Sequence, residues 1–254
     1  MMRACDAWQA MRALPVAEFP AALAAGAARQ PGTVLVLAPH PDDESLGCGG
    51  LIATACASGM PPVVVILTDG CRSHPNSRTH PAERLRQLRE SETMAAAKHL
   101  GLPEERIVFM GFADAAAPVA GPRFDDAVTA LTMLIRDYGC PTVLTTWRHD
   151  PHCDHAAAAA IAAAACRITG AELFAYPVWG WTLPPETDLD QSEITGFRLD
   201  IAQHLDAKRA AILAHQSQHA GVITDDPSAF QMTQAFMERF LMPCEIYIRV
   251  AVSP

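Results

Sequence analysis

The chain has 254 residues, 50% hydrophobic and 19% charged, with a formal net charge of −9 and a mean hydropathy of +0.10. That length fits one large domain or two small ones and buries enough surface to fold without a staple, and the composition excludes wholesale disorder. No window approaches the ~20 uninterrupted apolar residues of a membrane span, and a pI near 5.5 lacks the basic footprint of a nucleic-acid binder.

In chain order, residues 1–31 are Ala-rich with scattered apolar positions and end in Gln30-Pro31-Gly32, which reads as a helical N-terminal extension and a break. Thr33–Ala38 is a short, β-rich apolar run of the kind that fits a fully buried parallel strand. A helix over Leu46–Ser58 is stopped by Gly59-Met60-Pro61-Pro62, and Val63–Thr68 is a second buried strand. Pro81–Leu100 is a long amphipathic helix closed by Gly101; Ile107–Met110 is a third strand and Phe124–Tyr138 a helix closed by Gly139. Thr142–Thr146 is the fourth strand, followed by a polar loop and an Ala-rich helix to Ile168. Beyond it, Glu172–Val178 reads as a strand, Trp179–Asp190 as a loop, Asp206–Ala214 as a helix and Cys244–Val252 as an edge strand. Strands that alternate with helices, each a continuous apolar run, predict an α/β fold on a parallel sheet. No repeat and no Pro/Ser/Gly-rich linker divides the chain, so residues 1–254 read as a single domain.

The eight cysteines form no C-x-x-C, which leaves no zinc-ribbon or thioredoxin-type motif and favours reduced thiols in a cytoplasmic protein. The N-terminus carries Asp6 and Glu18 and lacks a clean apolar stretch after a basic start, unlike a signal peptide. Arg84, Arg86 and Arg89 fall in one helical pattern, where a solvated face explains them as readily as contact with a polar substrate.

In open parallel sheets ligands sit at the carboxyl ends of the strands, and two loops there are unusual. The first, Pro39-His40-Pro41-Asp42-Asp43-Glu44, crowds adjacent carboxylates beside a histidine, and these repel one another unless a positive charge sits among them. A divalent cation is the simplest such partner, since imidazole and carboxylate are both good zinc ligands. Helix capping by acidic residues is the competing account of this loop on its own. The second loop, Arg148-His149-Asp150-Pro151-His152-Cys153-Asp154-His155, is a dense histidine and aspartate cluster. If the sheet sets the first and fourth strands side by side, both loops converge on one point.

The segment Ala38-Pro39-His40-Pro41-Asp42-Asp43-Glu44, with the Gly47–Gly50 turn, resembles the signature of the LmbE/PIG-L family of metal-dependent N-acetylglucosaminyl deacetylases. His152-Cys153-Asp154-His155 matches that family's H-x-D-H element. Arg89–Glu92…Leu100-Gly101 is similar to its R-x-x-E…L-G helix, and Lys208…His215-Gln216-Ser217-Gln218 to its late K…H-x-S/T-Q element. The resemblance spans residues 33–218 and implies a Rossmann-like sandwich, a mostly parallel sheet flanked by helices. It implies that His40, Asp43 and His155 ligate a metal, usually zinc, with ferrous iron as the alternative. It makes Asp42 the general base and His152 the residue that stabilises the oxyanion, with Asp154 holding its imidazole. Arg89 and Asp114 match positions that hold sugar hydroxyls. The chain departs from the family at Cys153, in place of the usual proline, and at Cys71, where many relatives carry Glu.

Chemistry agrees with the implied roles. Three protein ligands leave an open position for water, and a carboxylate next to a ligand can reach that water as a base. A cationic imidazole, its pKa raised by a neighbouring carboxylate, meets the oxyanion of amide hydrolysis. The expected reaction is removal of the N-acetyl group from an N-acetylglucosamine-type sugar or glycoconjugate, so the expected partner is a small-molecule amino sugar and not a nucleic acid. The same residues would serve a non-sugar amide, and a non-catalytic sugar-binding module is disfavoured by the presence of Asp42 and His152. A non-haem iron oxygenase would use similar donors, but alternating strands and helices contradict the jelly-roll barrel those enzymes resemble. Gly47-Cys48-Gly49-Gly50 lacks the G-x-G-x-x-G spacing of a dinucleotide site, and close helix–strand packing explains its glycines better. Trp147, Trp179 and Trp181 lie on or near the rim loops, where sugar stacking and core packing are both open, and Arg72 and Arg78 are candidates for a phosphate contact. The N-terminal extension is a candidate to cover the site or to make the subunit contact of a homo-oligomer.

Overall fold

The computed structural model describes residues 1–19 and 33–252. The chain opens with β1 (Met2–Arg3), α1 (Ala4–Ala13) and β2 (Val16–Ala17). Strands and helices then alternate as β3 (Val34–Ala38), α2 (Asp43–Ala57), β4 (Val63–Thr68), α3 (Ala82–Leu100), β5 (Ile107–Phe112), α4 (Pro122–Asp137), β6 (Thr142–Thr146), α5 (Cys153–Thr169) and β7 (Glu172–Tyr176). The remainder supplies β8 (Asp188–Leu189), β9 (Gly196–Asp200), α6 (Leu205–Ala214), α7 (Gln234–Glu238) and β10 (Cys244–Val250). The main sheet runs β2-β9-β10-β7-β6-β3-β4-β5, parallel from β7 to β5, with β10 antiparallel to both of its neighbours.

The apolar runs become strands because the sheet is covered on both faces. Val34, Val36 and Ala38 join one core layer with α2, α3, α6 and α7; Leu35 and Leu37 point the other way, into the layer under α4 and α5. After β5 the chain crosses back to place β6 against β3, in register from Val34↔Thr142 to Leu37↔Thr145. The order of strands reverses there, and such a switch point opens a crevice at the carboxyl ends of the two strands. The loops after β3 and β6 therefore meet, as their convergence required. Among the described residues, no helix is long and apolar enough to cross a membrane.

Some expectations are corrected. Cys244–Val252 is no edge strand: β10 lies inside the sheet, between β7 and β9. β9 had no clear signature, because it starts at Gly196, buries only Phe197 and Leu199, and depends on partners far away in the chain. The Trp179–Asp190 loop contains a 3-10 turn (Trp179–Thr182) and β8, which pairs with β1. Among the described residues of the N-terminal segment, Ala4–Ala13 is helical and β2 adds to the sheet beside β9; the rest of the expected extension, residues 20–32, lies outside the described residues. Ala4, Ala7 and Met11 pack with Trp147, Ala175 and Ile248, so Trp147 is a core residue and not part of a sugar-binding rim.

The glycines of α2 mark close approach. A Cβ on Gly47 would sit 2.0 Å from the Tyr176 ring, and one on Gly50 2.6 Å from Ile201. The same stretch is tied by Glu245, which accepts hydrogen bonds from the amides of Gly50 and Leu51 and from Tyr247 Oη, each at 2.7 Å, and from Lys208 Nζ at 2.6 Å. Lys208, part of the late motif, is thus a buried scaffold cation. Gly47→Ala is expected to cost about 1–3 kcal/mol of folding free energy through overpacking against Tyr176, measured as a lowered urea midpoint; an unchanged midpoint would show that this contact relaxes freely.

Candidate metal centre

His40 and Asp43 stand three residues apart at the entry to α2, and His155 lies in the first turn of α5. One oxygen, Asp43 Oδ2, is 3.1 Å from His40 Nδ1 and 3.3 Å from His155 Nε2. The other nitrogen of each ring meets a different carboxylate: His40 Nε2 is 3.1 Å from Asp154 Oδ2, and His155 Nδ1 is 2.9 Å from Asp150 Oδ2. A carboxylate on the outer nitrogen keeps the proton there and leaves the inner nitrogen as a donor of electrons. His155 Nε2 is buried and has no hydrogen-bond partner, as expected of a ligand atom without its ion. Zinc–ligand bonds of about 2.0–2.1 Å in a tetrahedron separate ligand atoms by about 3.3 Å, the spacing seen at Asp43. His152 is also in reach: His40, His152 and His155 each offer a ligand atom within 4.8 Å of the others, and His40, Asp114, His152 and Asp154 form a second such group.

Charge at the site follows from burial among acids. Burial opposes a charged His40, but hydrogen bonds to Asp114, Asp154 and Asp43 raise its pKa well above the usual value. Burial likewise opposes a charged His155, yet Asp43 and Asp150 push it up to about 9. Asp43 is buried, which favours its neutral form, but the two histidines hold it well below the usual carboxylate range. The donor set thus calls for positive charge at one point, which protons or a metal ion can supply.

Asp42 adopts φ 135°, a left-handed conformation that costs a non-glycine residue free energy and is retained only where its surroundings enforce it. Arg89 does so: its Nη2 donates to Asp42 Oδ2 at 2.9 Å and to the Pro41 carbonyl, and its Nη1 to the Gly70 carbonyl at 3.0 Å. The structure directs the Arg89 guanidinium to Asp42, because a cation 3% exposed needs a nearby anion, and the same residue lines the cavity at the site, where sugar hydroxyls are expected. A Cβ on Gly70 would lie 2.5 Å from Arg89 Nη1, so the glycine makes room for it. Burial, with the adjacent Asp43 charge, pushes Asp42 up to about 6 although Arg89 pulls the other way. Asp114 stands 3.3 Å from His40 Nε2 and accepts from the Arg72 amide at 2.7 Å.

The expected Asp154–His152 contact is not made between side chains. His152 caps α5, and its Nδ1 accepts from the Asp154 amide at 3.2 Å. The Asp154 carboxylate points instead to His40 and to the amides of Ala115 and Ala117, at 2.7 and 3.0 Å. Burial, with His40 and His155 nearby, lowers the His152 pKa. An Nδ1 that accepts from an amide and a lowered pKa both favour a neutral imidazole with its proton on Nε2 over the cationic one implied by the resemblance.

The sequence gives Asp150 no role of its own. Asp150 orients His155 and also accepts from the amides of Val178, Trp179 and Gly180. Its position within the His-rich loop was the only signal. Glu44 pairs with His215 at 3.1 Å, and Glu92 takes the amide and hydroxyl of Ser217, both at 2.7 Å. A cavity of ≈ 420 Å³ opens beside the metal centre, lined by His40, Asp42, Asp114 and His152 and by the apolar Trp179, Phe230, Met232 and Phe236. Arg72 lines it too, whereas Arg78 is exposed and only its amide is engaged, by Asp225. Asp150→Asn is expected to weaken metal affinity about 10–100-fold, because the imidazole loses its orienting carboxylate; competition with a chelating dye reads this, and unchanged affinity would detach Asp150 from the site.

A family model described as PIG-L, GlcNAc-PI de-N-acetylase, matches residues 35–166, a span that holds both loops. A 1D-myo-inositol 2-acetamido-2-deoxy-α-D-glucopyranoside deacetylase of Rhodococcus opacus is 30% identical over 238 residues, covering 73% of this chain and 81% of its own. A 2'-N-acetylparomamine deacetylase of Streptomyces fradiae is 30% identical over 137 residues, and this chain spans about half of its length (48%), with 49% of this chain matched. Among solved structures, the N,N'-diacetylchitobiose deacetylase of Pyrococcus horikoshii has the same fold at 19% identity and a TM-score of 0.61, covering 86% of this chain and 84% of its own. The 4-carboxy-2-hydroxymuconate hydratase of Pseudomonas putida shares it as well, at 20% identity and a TM-score of 0.63 over 88% and 98% of the chains. Fold alone thus does not choose the reaction. The family match and its coverage do assign the chain: it belongs to the PIG-L, or LmbE-like, family of de-N-acetylases.

Proposed function

We propose that this protein is a zinc-dependent deacetylase that removes the N-acetyl group from an N-acetylglucosamine-type amino sugar or its conjugate, with His40, Asp43 and His155 as the metal ligands and residues 1–254 as one domain. Ferrous iron is the alternative ion for the same donors. The observation that carries the reading is the convergence of His155 Nε2 and His40 Nδ1 on a single oxygen of Asp43, at 3.3 and 3.1 Å. A divalent ion bound there polarises the amide carbonyl and lowers the pKa of water. Asp42 is the general base: pushed up to about 6, it is ionised at neutral pH yet basic enough to take a proton from the attacking water. Arg89 keeps that carboxylate in place. His152 lines the cavity with its proton on Nε2 and donates it as a hydrogen bond to the developing oxyanion, acting as a neutral donor. Asp114 accepts from a sugar hydroxyl at the cavity wall.

Elemental analysis, paired with acetate release from N-acetylglucosamine derivatives and from non-sugar N-acetyl amides, tests this reading. One equivalent of metal and chelator-sensitive release from the sugars are expected. Release from non-sugar amides alone would reassign the substrate, and absence of metal after reconstitution would overturn the site. Asp42→Asn is expected to keep the metal while kcat falls about 10²–10⁴-fold. His155→Ala is expected to release the metal, so full retention would remove His155 from the ligand set.

A further inference from the structure

Leu46 lines the cavity at the metal centre and also a second, larger one of ≈ 670 Å³ beside it. Tyr176 and Pro177, at the carboxyl end of β7, form part of its wall, so both cavities open at the same end of the sheet. Its other walls come from Trp8 and Arg12 of α1, from Trp181, Arg198 and Lys208, and from the segment that begins at Arg239 and leads into β10. Three guanidinium groups converge on it. Arg12 stacks over the Trp181 ring at 5.6 Å, and Arg239 Nη1 donates to the Trp181 carbonyl at 2.8 Å, so one residue gathers both. Arg198 Nε donates to the carbonyl of Leu14, two residues beyond Arg12, at 2.7 Å.

None of the three arginines meets a carboxylate among the described residues, and residues 20–32 contain no Asp or Glu. The acid in the wall, Glu245, is already matched by Lys208, two amides and the Tyr247 hydroxyl. Each arginine is therefore anchored by a ring or a backbone carbonyl and keeps donors free, in a chain whose net charge is −9. Planar forks of this kind match the paired oxygens of a phosphate or carboxylate.

We infer that this cavity is a binding site for an oxyanion, a phosphate or carboxylate gripped by Arg12, Arg198 and Arg239. The anion is either carried on the aglycone of the sugar substrate or free in solution. The substrate-linked form rests on the deacetylase reading; the free form does not.

Two measurements on the full chain decide it. In the first, inorganic phosphate is titrated onto the protein and followed by tryptophan fluorescence, since Trp8 and Trp181 line the cavity. Saturable binding is expected, weakened about tenfold or more in the Arg12→Ala/Arg239→Ala double variant. Binding insensitive to the double substitution belongs to the metal centre and overturns the inference, as does no binding when the glycosides show no preference. The second compares kcat/KM for two N-acetylglucosaminides that differ only in a phosphate on the aglycone. A preference of about tenfold for the phosphorylated one, lost in the double variant while the neutral substrate is unaffected, assigns the anion to the substrate. Phosphate binding without that preference assigns it to a free oxyanion. Hydrolysis of neither glycoside counts against the deacetylase reading and leaves the titration to decide the cavity. Arg12→Lys/Arg239→Lys keeps the charge and loses the forks, so it should bind phosphate more weakly than wild type even if the alanine pair folds poorly.

Discussion

One buried oxygen organises this protein. Asp43 Oδ2 sits between His40 and His155, and behind each ring stands a further carboxylate, Asp154 or Asp150. Charges taken out of water must be matched within a few ångströms, so no member of the row can move alone. The row also reaches outward. Asp150 holds the amides of residues 178–180, and the Gly180 carbonyl accepts Trp8 Nε1 at 2.9 Å, which ties α1 to the site. On the other side, Asp154 takes the amides of Ala115 and Ala117 and fixes the loop that presents Asp114. The electrostatics of the centre thus set the positions of the loops that form its cavity.

Packing supplies the rigidity this arrangement needs. Gly47 and Gly50 let α2 press against Tyr176 and Ile201, so Asp43 starts a helix that has little room to shift, with His40 in the loop just ahead of it. Glu245 and Lys208 clamp the same helix from the β10 side. Arg89, with space made by Gly70, holds Asp42 in a conformation that residue would not adopt unaided. The four motifs quoted from the sequence divide accordingly: two hold the crowded histidines and carboxylates, and two brace them through Arg89, Glu92, Lys208 and Ser217.

The two cavities show how differently neighbouring sites can be built. One draws on adjacent carboxylates and histidines close together in the chain, in two loops at the switch point of the sheet. The other draws on arginines at positions 12, 198 and 239, gathered by Trp181 and by the end of α1. Leu46 lines both, so the two lie side by side.

By itself the sequence determined the alternating strands and helices of residues 33–176, because runs such as VLVLA and VVVILT bury both faces and leave little choice of element. It also singled out the candidate site residues, since His40, Asp42, Asp43, His152, Asp154 and His155 lie in two short segments whose crowded charges call for a partner. Tertiary structure decided what those donors touch. That Asp154 serves His40 and not His152, that Arg89 serves Asp42, and that Asp150 orients His155 are matters of side-chain direction at helix ends, which spacing in the chain does not encode. The interior place of β10 and the existence of β9 likewise depend on pairing between residues 16–17, 196–200 and 244–248. Local pattern reports burial and local repulsion, whereas distant partners are chosen only when the folded chain brings them together.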